Sequence, residues 1–223
     1  MKDGAAHATW TKELQVLRNA LNIAKDEWEW IDATPFAKFK ISTPKNGVVR
    51  WLLFSEEACL MPKCPDWLKE IVAFALNTGM RQGEILSLKW SQVDLERQEI
   101  TVLITKNKEP RTLPINDEVQ NLLKAKMATR KGSAYVFPSE SGTMIGKNNL
   151  SRAFRKAVKE AGIVKFRFHD LRHTFATRLV RLGTDLYKVA KLLGHKTLAM
   201  VMRYAHLDVE SLRADVAALN TSR

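Results

Sequence analysis

The feature that most constrains the fold is a series of helical segments that each end at a glycine. Three of them follow one another in the second half of the chain, at residues 147–161, 169–182 and 185–193, before Gly162, Gly183 and Gly194. Glycine adopts the left-handed conformation that ends many helices at little steric cost. The same reasoning predicts earlier helices at residues 11–30, 66–78, 81–88 and 116–129. The chain is therefore expected to be mainly helical.

A pair of short strands interrupts this helical pattern. Residues 99–105 and 111–115 are rich in strand-forming side chains, and residues 106–110 join them as a hairpin loop. A further strand is predicted at residues 48–54, followed by a helix start at 55–57. Near the C-terminus, Thr197 is expected to cap a short helix that carries Tyr204, and a last helix is expected at 208–219. The predicted fold class is mainly α with a small antiparallel β-sheet (α+β).

The charge balance restricts the partners of the chain. It contains 36 Lys and Arg against 24 Asp and Glu, a formal charge of +12. Such an excess favours nucleic acid or an acidic membrane surface. No apolar run approaches the roughly 20 residues that span a bilayer, and no basic amphipathic helix stands out. We expect a cytoplasmic protein that binds nucleic acid and no membrane, with Cys59 and Cys64 as reduced thiols.

Tyr204 is the first candidate for chemistry. It follows His195 by nine residues, and further upstream His169 and Arg172 are three residues apart, on one face of a predicted helix. The phenol has a pKa of about 10, so it becomes a nucleophile only beside a base and positive charge. The many basic residues around these positions indicate that the group attacked is a phosphate.

Two more basic residues precede this group in the sequence. Arg81 follows Gly79 at the start of a short helix, where backbone N–H groups attract anions and a guanidinium fits phosphate oxygens. Glu84 is expected to brace a neighbouring side chain rather than act as a base. Lys106 is at the predicted hairpin tip, where a long cationic side chain could reach a ligand. Taken alone, neither residue indicates a site: an arginine such as Arg81 is usually a solvated surface residue, and a hairpin lysine such as Lys106 is usually an ordinary turn residue.

Together these residues resemble the tyrosine recombinase (phage integrase) family in order and local context. The six positions are Arg81, Lys106, His169, Arg172, His195 and Tyr204. The matching stretches are TGMRQGE at 78–84, TKNKEPRTLP at 105–114, HDLRHTFA at 169–176, LGH at 193–195 and RYAH at 203–206. Each stretch is a weak signal by itself, whereas five in the family's order are specific. None of the six positions departs from the family's pattern.

The resemblance implies a mainly helical catalytic domain that cuts and rejoins DNA through a covalent protein–DNA link. Tyr204 would attack the scissile phosphorus, leaving a 3′-phosphotyrosine and a 5′ hydroxyl. Arg81 and Arg172 would hold the nonbridging oxygens, and His195 would donate a further hydrogen bond to them. Phosphoryl transfer requires mainly positioning and charge stabilisation, which two guanidinium groups can supply.

Proton transfer is assigned by the same resemblance. Lys106 would protonate the leaving 5′ oxygen, and His169 would assist proton movement at the tyrosine. The sequence offers no carboxylate cluster suited to Mg²⁺, so neither a metal nor another cofactor is expected.

The resemblance also predicts domains and partners. Residues 1–40 would be an N-terminal helix and linker, the remnant of a core-binding domain, and residues 41–223 the catalytic domain. The partner would be double-stranded DNA, bound by a homotetramer that is a monomer when free, with an accessory DNA-bending protein in some reactions. The helix at 208–219 would dock either on a neighbouring subunit or on its own domain.

Two other functions stay open on the sequence alone. Residues 169–182 and 185–193 also look like a helix-turn-helix, which would suit a non-enzymatic DNA-binding regulator. A type IB topoisomerase would use the same active-site logic to relax supercoiled DNA without exchanging strands between sites.

Overall fold

A computed structural model of the chain describes residues 7–39, 41, 49–103, 110–130, 132–195 and 197–207. The contacts divide the chain into two units, residues 1–48 and 49–223. In the first unit, α1 (His7–Asp26) is followed by a 3-10 turn at Pro35–Ala37. The helix predicted at 11–30 is confirmed, although it begins and ends about one turn earlier. Of the N-terminal helix and linker predicted at residues 1–40, residues 1–6 and residue 40 lie outside the described residues.

Helices make up most of the second unit. They are α2 (Phe54–Leu60), α3 (Asp66–Thr78), α4 (Gln82–Leu86), α5 (Asp117–Ala128), α6 (Lys147–Glu160), α7 (Phe168–Arg181) and α8 (Leu186–Leu193). The sequence predicted α3 to α8 to within a few residues, and of α2 it predicted the start. Glycine ends α3 and α8 as expected, because Gly79 and Gly194 adopt left-handed φ values of 60° and 63°. No helix in the described part of the chain is both long and apolar enough to cross a membrane.

A three-stranded antiparallel sheet lies between α4 and α5 in the sequence. Its strands are β1 (Val93–Asp94), β2 (Glu99–Val102) and β3 (Arg111–Pro114), in the order β1-β2-β3. The predicted hairpin is confirmed by the pairing of Ile100 with Leu113, both of which are buried. Its tip, residues 104–109, lies outside the described residues. The two-residue strand β1 was not predicted, because it is too short to show an alternating pattern.

The strand predicted at 48–54 is wrong. Residues 49–53 form no strand within the described part of the chain, and α2 begins at Phe54. Val49 and Leu52 are buried in the apolar clusters of the second unit, whereas Leu53 and Phe54 are exposed. The Leu52 N–H donates to Thr174 Oγ1 of α7 (2.9 Å). A side chain thus satisfies a backbone group that a neighbouring strand would otherwise bind. The α2 start near Ser55 is confirmed, since Glu56 accepts from the Leu53 N–H.

Two apolar clusters hold the second unit together. The larger one surrounds α3, where Ile71 and Phe74 are fully buried and Phe74 meets Phe137 edge-on at 5.0 Å between ring centroids. The smaller one joins α7 and α8 to Val201 and Tyr204 near the end of the described chain. Burial of each large apolar side chain stabilises the fold by about 1.5–3 kcal/mol. The smaller cluster therefore fixes the position of Tyr204 relative to α7.

Candidate active site

Helix α7 carries three of the polar side chains that meet in one region of the second unit. Its first turn is fixed by a buried carboxylate, since the Arg167 N–H donates to Asp170 Oδ2 (2.7 Å). His169, Arg172 and His173 follow at three- and four-residue spacing, which places them on the same face of the helix.

Arg172 lies between the C-terminal ends of two helices. Its Nη1 donates to the Gly79 carbonyl at the end of α3 (2.8 Å), and its Nη2 donates to the Leu193 carbonyl at the end of α8. Carbonyls at helix ends lack helical partners and carry partial negative charge, so they suit a cation. Burial, together with the charge of Arg81, lowers the pKa of Arg172 to about 9. The buried guanidinium therefore keeps its charge at neutral pH.

Arg81 approaches the same region from the start of α4. Its Nη1 donates to Glu84 Oε1 (2.8 Å), and its Nη2 lies 3.4 Å from the Gly194 carbonyl. Its backbone N–H also donates to Glu84 Oε2 (2.8 Å), which closes the first turn of α4. The expectation that Glu84 braces a neighbour is confirmed.

Glu84 is held ionised by two arginines. Burial opposes its ionisation, but hydrogen bonds from Arg111 and from the Arg81 N–H outweigh it and lower the pKa of Glu84 to about 2. Arg111 reaches it from β3 through Nη2–Oε2 (2.8 Å) and Nη1–Oε1 (3.2 Å). Two guanidinium groups thus share one carboxylate.

His195 follows Gly194 directly, at the end of α8. Its pKa is lowered to about 4 by burial and by the charges of Arg172 and Arg81. Its Nδ1 is buried and has no hydrogen-bond partner among the described residues. The imidazole is therefore neutral at physiological pH and still has a ring N–H to donate.

Tyr204 lies in a 3-10 helix, Met202–Leu207, and is 1% exposed. Its hydroxyl is 2.5 Å from Nδ1 of His173. Burial raises the pKa of the phenol, while the charges of Arg203 and Arg172 act in the opposite direction. The cap predicted at Thr197 is wrong, because its side chain makes no capping hydrogen bond to the described residues.

The two histidines of α7 stand side by side. The His169 and His173 ring centroids are 5.1 Å apart, and the rings are nearly perpendicular. Burial and the neighbouring His169 lower the pKa of His173 to about 4. Partial burial of the His169 ring and the charge of Arg172 lower the pKa of His169 as well. Both rings are therefore neutral at pH 7.

Five of the six predicted site residues converge in this region: Arg81, His169, Arg172, His195 and Tyr204. The sixth, Lys106, lies outside the described residues, as does the predicted helix at 208–219. No group of three metal-ligating side chains is present within the described ranges. The arrangement provides two guanidinium groups for an anion, neutral imidazoles to donate or accept hydrogen bonds, and a phenol oxygen beside them.

Sequence reasoning missed two residues of this region. His173 follows Arg172 directly and is four residues from His169, so helical spacing places it on the same face. Arg111 shares a strand face with the buried Leu113, and a charged residue on an apolar face is itself a signal of a buried ion pair.

Comparison with known proteins identifies the class. The sequence model of the phage integrase family matches residues 50–211, and the chain belongs to this family. It is similar to the integrase of Salmonella phage P22, with 34% identity over 214 residues, or 91% of this chain and 55% of that protein. It is also similar to the shufflon-specific DNA recombinase of Escherichia coli, with 31% identity over 87% of this chain and 50% of that protein. The chain thus spans about half the length of these curated relatives.

Solved structures share the fold. The catalytic domain of bacteriophage HP1 integrase matches with 31% identity and a TM-score of 0.60, over 76% of this chain and 94% of that domain. The Tn1549 transposon integrase in complex with circular intermediate DNA matches with 22% identity and a TM-score of 0.80, over 96% and 80% of the two chains. The predicted fold class is confirmed.

Proposed function

We propose that the chain cuts and rejoins DNA as the catalytic part of a site-specific recombinase, through a 3′-phosphotyrosine on Tyr204. The observation that carries this proposal is the pairing of a buried phenol with His173 beside the guanidinium of Arg172. Double-stranded DNA as substrate is supported by the +12 charge and by the complex of the Tn1549 integrase with circular intermediate DNA. The relatives, named as integrases and recombinases, favour this function over a regulator or a topoisomerase.

In the proposed reaction, the Tyr204 oxygen attacks the phosphorus of one backbone linkage. A bond forms between the phenol oxygen and phosphorus while the bond from phosphorus to the 5′ oxygen breaks. The phenol proton leaves toward an imidazole, and the 5′ oxygen takes a proton from a cationic donor, for which we propose Lys106. A 5′ hydroxyl then attacks the phosphotyrosine in the reverse sense. The energy of the phosphodiester is kept in the covalent link, so rejoining requires no nucleotide cofactor.

Charge stabilisation falls to Arg81, Arg172 and His195. Arg172 is preorganised by two carbonyls at helix ends, so its orientation costs little when DNA binds. The Arg81 side chain is more exposed than that of Arg172, and its Nη2 makes only a long hydrogen bond to the Gly194 carbonyl. This Nη2 is therefore free to turn toward a phosphate oxygen. His195 is neutral and donates a ring N–H. Together these donors stabilise the charge that develops on the nonbridging oxygens.

The imidazoles of α7 handle the proton of Tyr204. His173 contacts the hydroxyl, and we propose that His169 assists through its neighbouring ring. A histidine with a pKa of about 4 is a poor acceptor for a phenol whose pKa is raised. A bound phosphate anion favours the charged form of nearby histidines and so raises their pKa. We therefore propose that the nucleophile stays protonated until DNA occupies the site.

We further propose that residues 1–40 are an N-terminal helix and linker that belong to a core-binding domain and that residues 41–223 form the catalytic domain. The active assembly would be a homotetramer on DNA, formed from cytoplasmic monomers and, for some sites, with an accessory DNA-bending protein. Analytical ultracentrifugation with and without site DNA measures the oligomeric state and so tests the proposed tetramer on DNA. A stable tetramer without DNA would contradict it.

Trapping the covalent protein–DNA adduct on duplexes of randomised sequence tests the central proposal. The experiment requires no knowledge of the DNA site. A pool of duplexes with a fixed nick and randomised flanks is incubated with the chain, and adducts that survive denaturant are recovered and sequenced. The wild-type chain should give adducts enriched in one sequence, and Tyr204→Phe should give none while still binding DNA. Binding without any adduct from the wild type would favour a regulator. Adducts without sequence enrichment, together with relaxation of supercoiled plasmid, would favour a topoisomerase.

A further inference from the structure

Arg111 is a buried cation that has no role in the reaction described above. It begins β3, its side chain is 10% exposed, and it forms a two-bond fork onto Glu84. Its position shares a strand face with the buried Leu113. A buried charge is tolerated when it is paired, and Glu84 supplies the pair.

The carboxylate of Glu84 is divided between two arginines. Oε1 accepts from Nη1 of Arg81 (2.8 Å) and from Nη1 of Arg111 (3.2 Å). Oε2 accepts from the Arg81 backbone N–H and from Nη2 of Arg111, each at 2.8 Å. A carboxylate offers about four acceptor positions, so these bonds fill them. Arg111 thereby prevents Glu84 from taking both terminal nitrogens of Arg81.

Arg111 also lies against the turn that precedes His195. A Cβ added to Gly194 would be 2.8 Å from Nη1 of Arg111 and 2.9 Å from its Cδ. The Gly194 carbonyl is the group that Nη2 of Arg81 approaches. Arg111 thus contacts both Glu84, which binds Arg81, and Gly194, which precedes His195. Arg81 and His195 are the two residues proposed to bind the phosphate.

We propose that Arg111 is a positioning residue for strand cleavage: by filling half of the Glu84 acceptor positions and packing on Gly194, it directs Arg81 and His195 toward the scissile phosphate. This inference rests on the proposed function.

The charges support the same conclusion. Arg81, Arg111, Arg172 and ionised Glu84 together carry a net charge of +2, which suits a phosphate anion. Without Arg111 the net charge is +1, and the Glu84 oxygens become available to Nη2 of Arg81. If Glu84 binds both terminal nitrogens of Arg81, fewer N–H donors of Arg81 remain for the phosphate.

Adduct formation on the most enriched trapped duplex measures this role. We expect Arg111→Met to lower the maximal rate about 30-fold, and Arg111→Lys about tenfold, because lysine cannot form the two-bond fork. The DNA concentration that gives the half-maximal rate should stay within about threefold. Arg97→Met removes an exposed arginine and serves as the matched control, with an unchanged rate.

A double-mutant cycle separates positioning from general stability. Because part of its effect acts through Arg81, Arg111→Met should slow the Arg81→Ala variant by clearly less than the 30-fold loss expected in the wild-type chain. Multiplied effects of the two substitutions, or rates of both Arg111 variants within about twofold of wild type, would overturn the inference. Loss of the fold in both variants, seen by circular dichroism, would also overturn it. A wild-type chain that forms no adduct would instead overturn the proposed function, and the inference with it.

Discussion

Nδ1 of His173 lies 2.5 Å from the Tyr204 hydroxyl, within hydrogen-bond distance. His173 directly follows Arg172, so one turn of α7 carries both the partner of the phenol and a buried guanidinium. For Tyr204 to donate in this bond, the neutral ring must carry its proton on Nε2. The nucleophile and the phosphate-binding charge are thus fixed by the same short segment.

Substitution of His173 tests this relationship. We expect His173→Ala to slow adduct formation about 10- to 100-fold, because the phenol loses its proton acceptor. DNA affinity, measured by fluorescence anisotropy, should stay within about threefold. His169→Ala is the matched control on the same helix, and its loss should be smaller. A His173 variant that cleaves at the wild-type rate would contradict the assignment.

Arg172 should not tolerate lysine. A single ammonium cannot reach both the Gly79 and the Leu193 carbonyl in the geometry of the guanidinium. We expect Arg172→Lys to lower the cleavage rate about 100-fold or more and the free energy of unfolding by about 1–3 kcal/mol. Arg181→Lys, at the exposed end of the same helix, should leave both quantities nearly unchanged. Equal effects of the two substitutions would argue against a special role for Arg172.

Acid should weaken the fold in a defined pH window. His173 and His195 have folded pKa values of about 4, below the ordinary 6.5. Between these values the unfolded chain binds more protons than the folded one, so the free energy of unfolding falls as the pH falls. Each histidine contributes up to about 1.4 kcal/mol per pH unit in this window and nothing above it.

Urea denaturation at several pH values between about 7 and 5 measures this loss. The double variant His173→Gln and His195→Gln should show a shallower dependence on pH. Glu84, with its pKa of about 2, adds a further loss at lower pH, below its ordinary value of 4.5. A wild-type stability that is flat down to pH 5 would contradict the neutral state of the two rings.

Gly79 should be sensitive to a single added methyl group. Its φ is +60°, and a Cβ there would lie 2.3 Å from the ring of Phe175. We expect Gly79→Ala to cost about 2 kcal/mol or more, from backbone strain plus overpacking. Gly142→Ala is the control, because its φ is +77° but nothing lies within 4 Å of the added Cβ. Equal losses in thermal unfolding would show that the contact with Phe175 is unimportant.

The helices could be predicted from sequence because their signals are local. Gly194 ends α8, as the pattern of residues indicated, and the structure shows that Asp185 caps its start. The segment at 49–53 was misassigned because a short apolar run does not by itself distinguish a strand from an irregular segment that buries residues such as Val49 and Leu52 in a helical core. The pairing of its Leu52 N–H with Thr174 joins positions far apart in the sequence.

The sequence predicted which residues form the site, but it did not predict the hydrogen bonds between them. Motif order indicated Arg81, Arg172, His195 and Tyr204. The sharing of Glu84 depends on where β3 meets α4, and the His173 contact depends on how Met202–Leu207 packs on α7. Such relations come from packing between distant segments, which spacing along one segment does not encode.

The most direct test of the account is to locate the residue that becomes attached to DNA. The full chain is trapped on the enriched nicked duplex, the adduct is digested with nuclease and protease, and the modified peptide is sequenced by mass spectrometry. We predict a nucleotide 3′-phosphate on Tyr204. A nucleotide on any other residue would contradict the account.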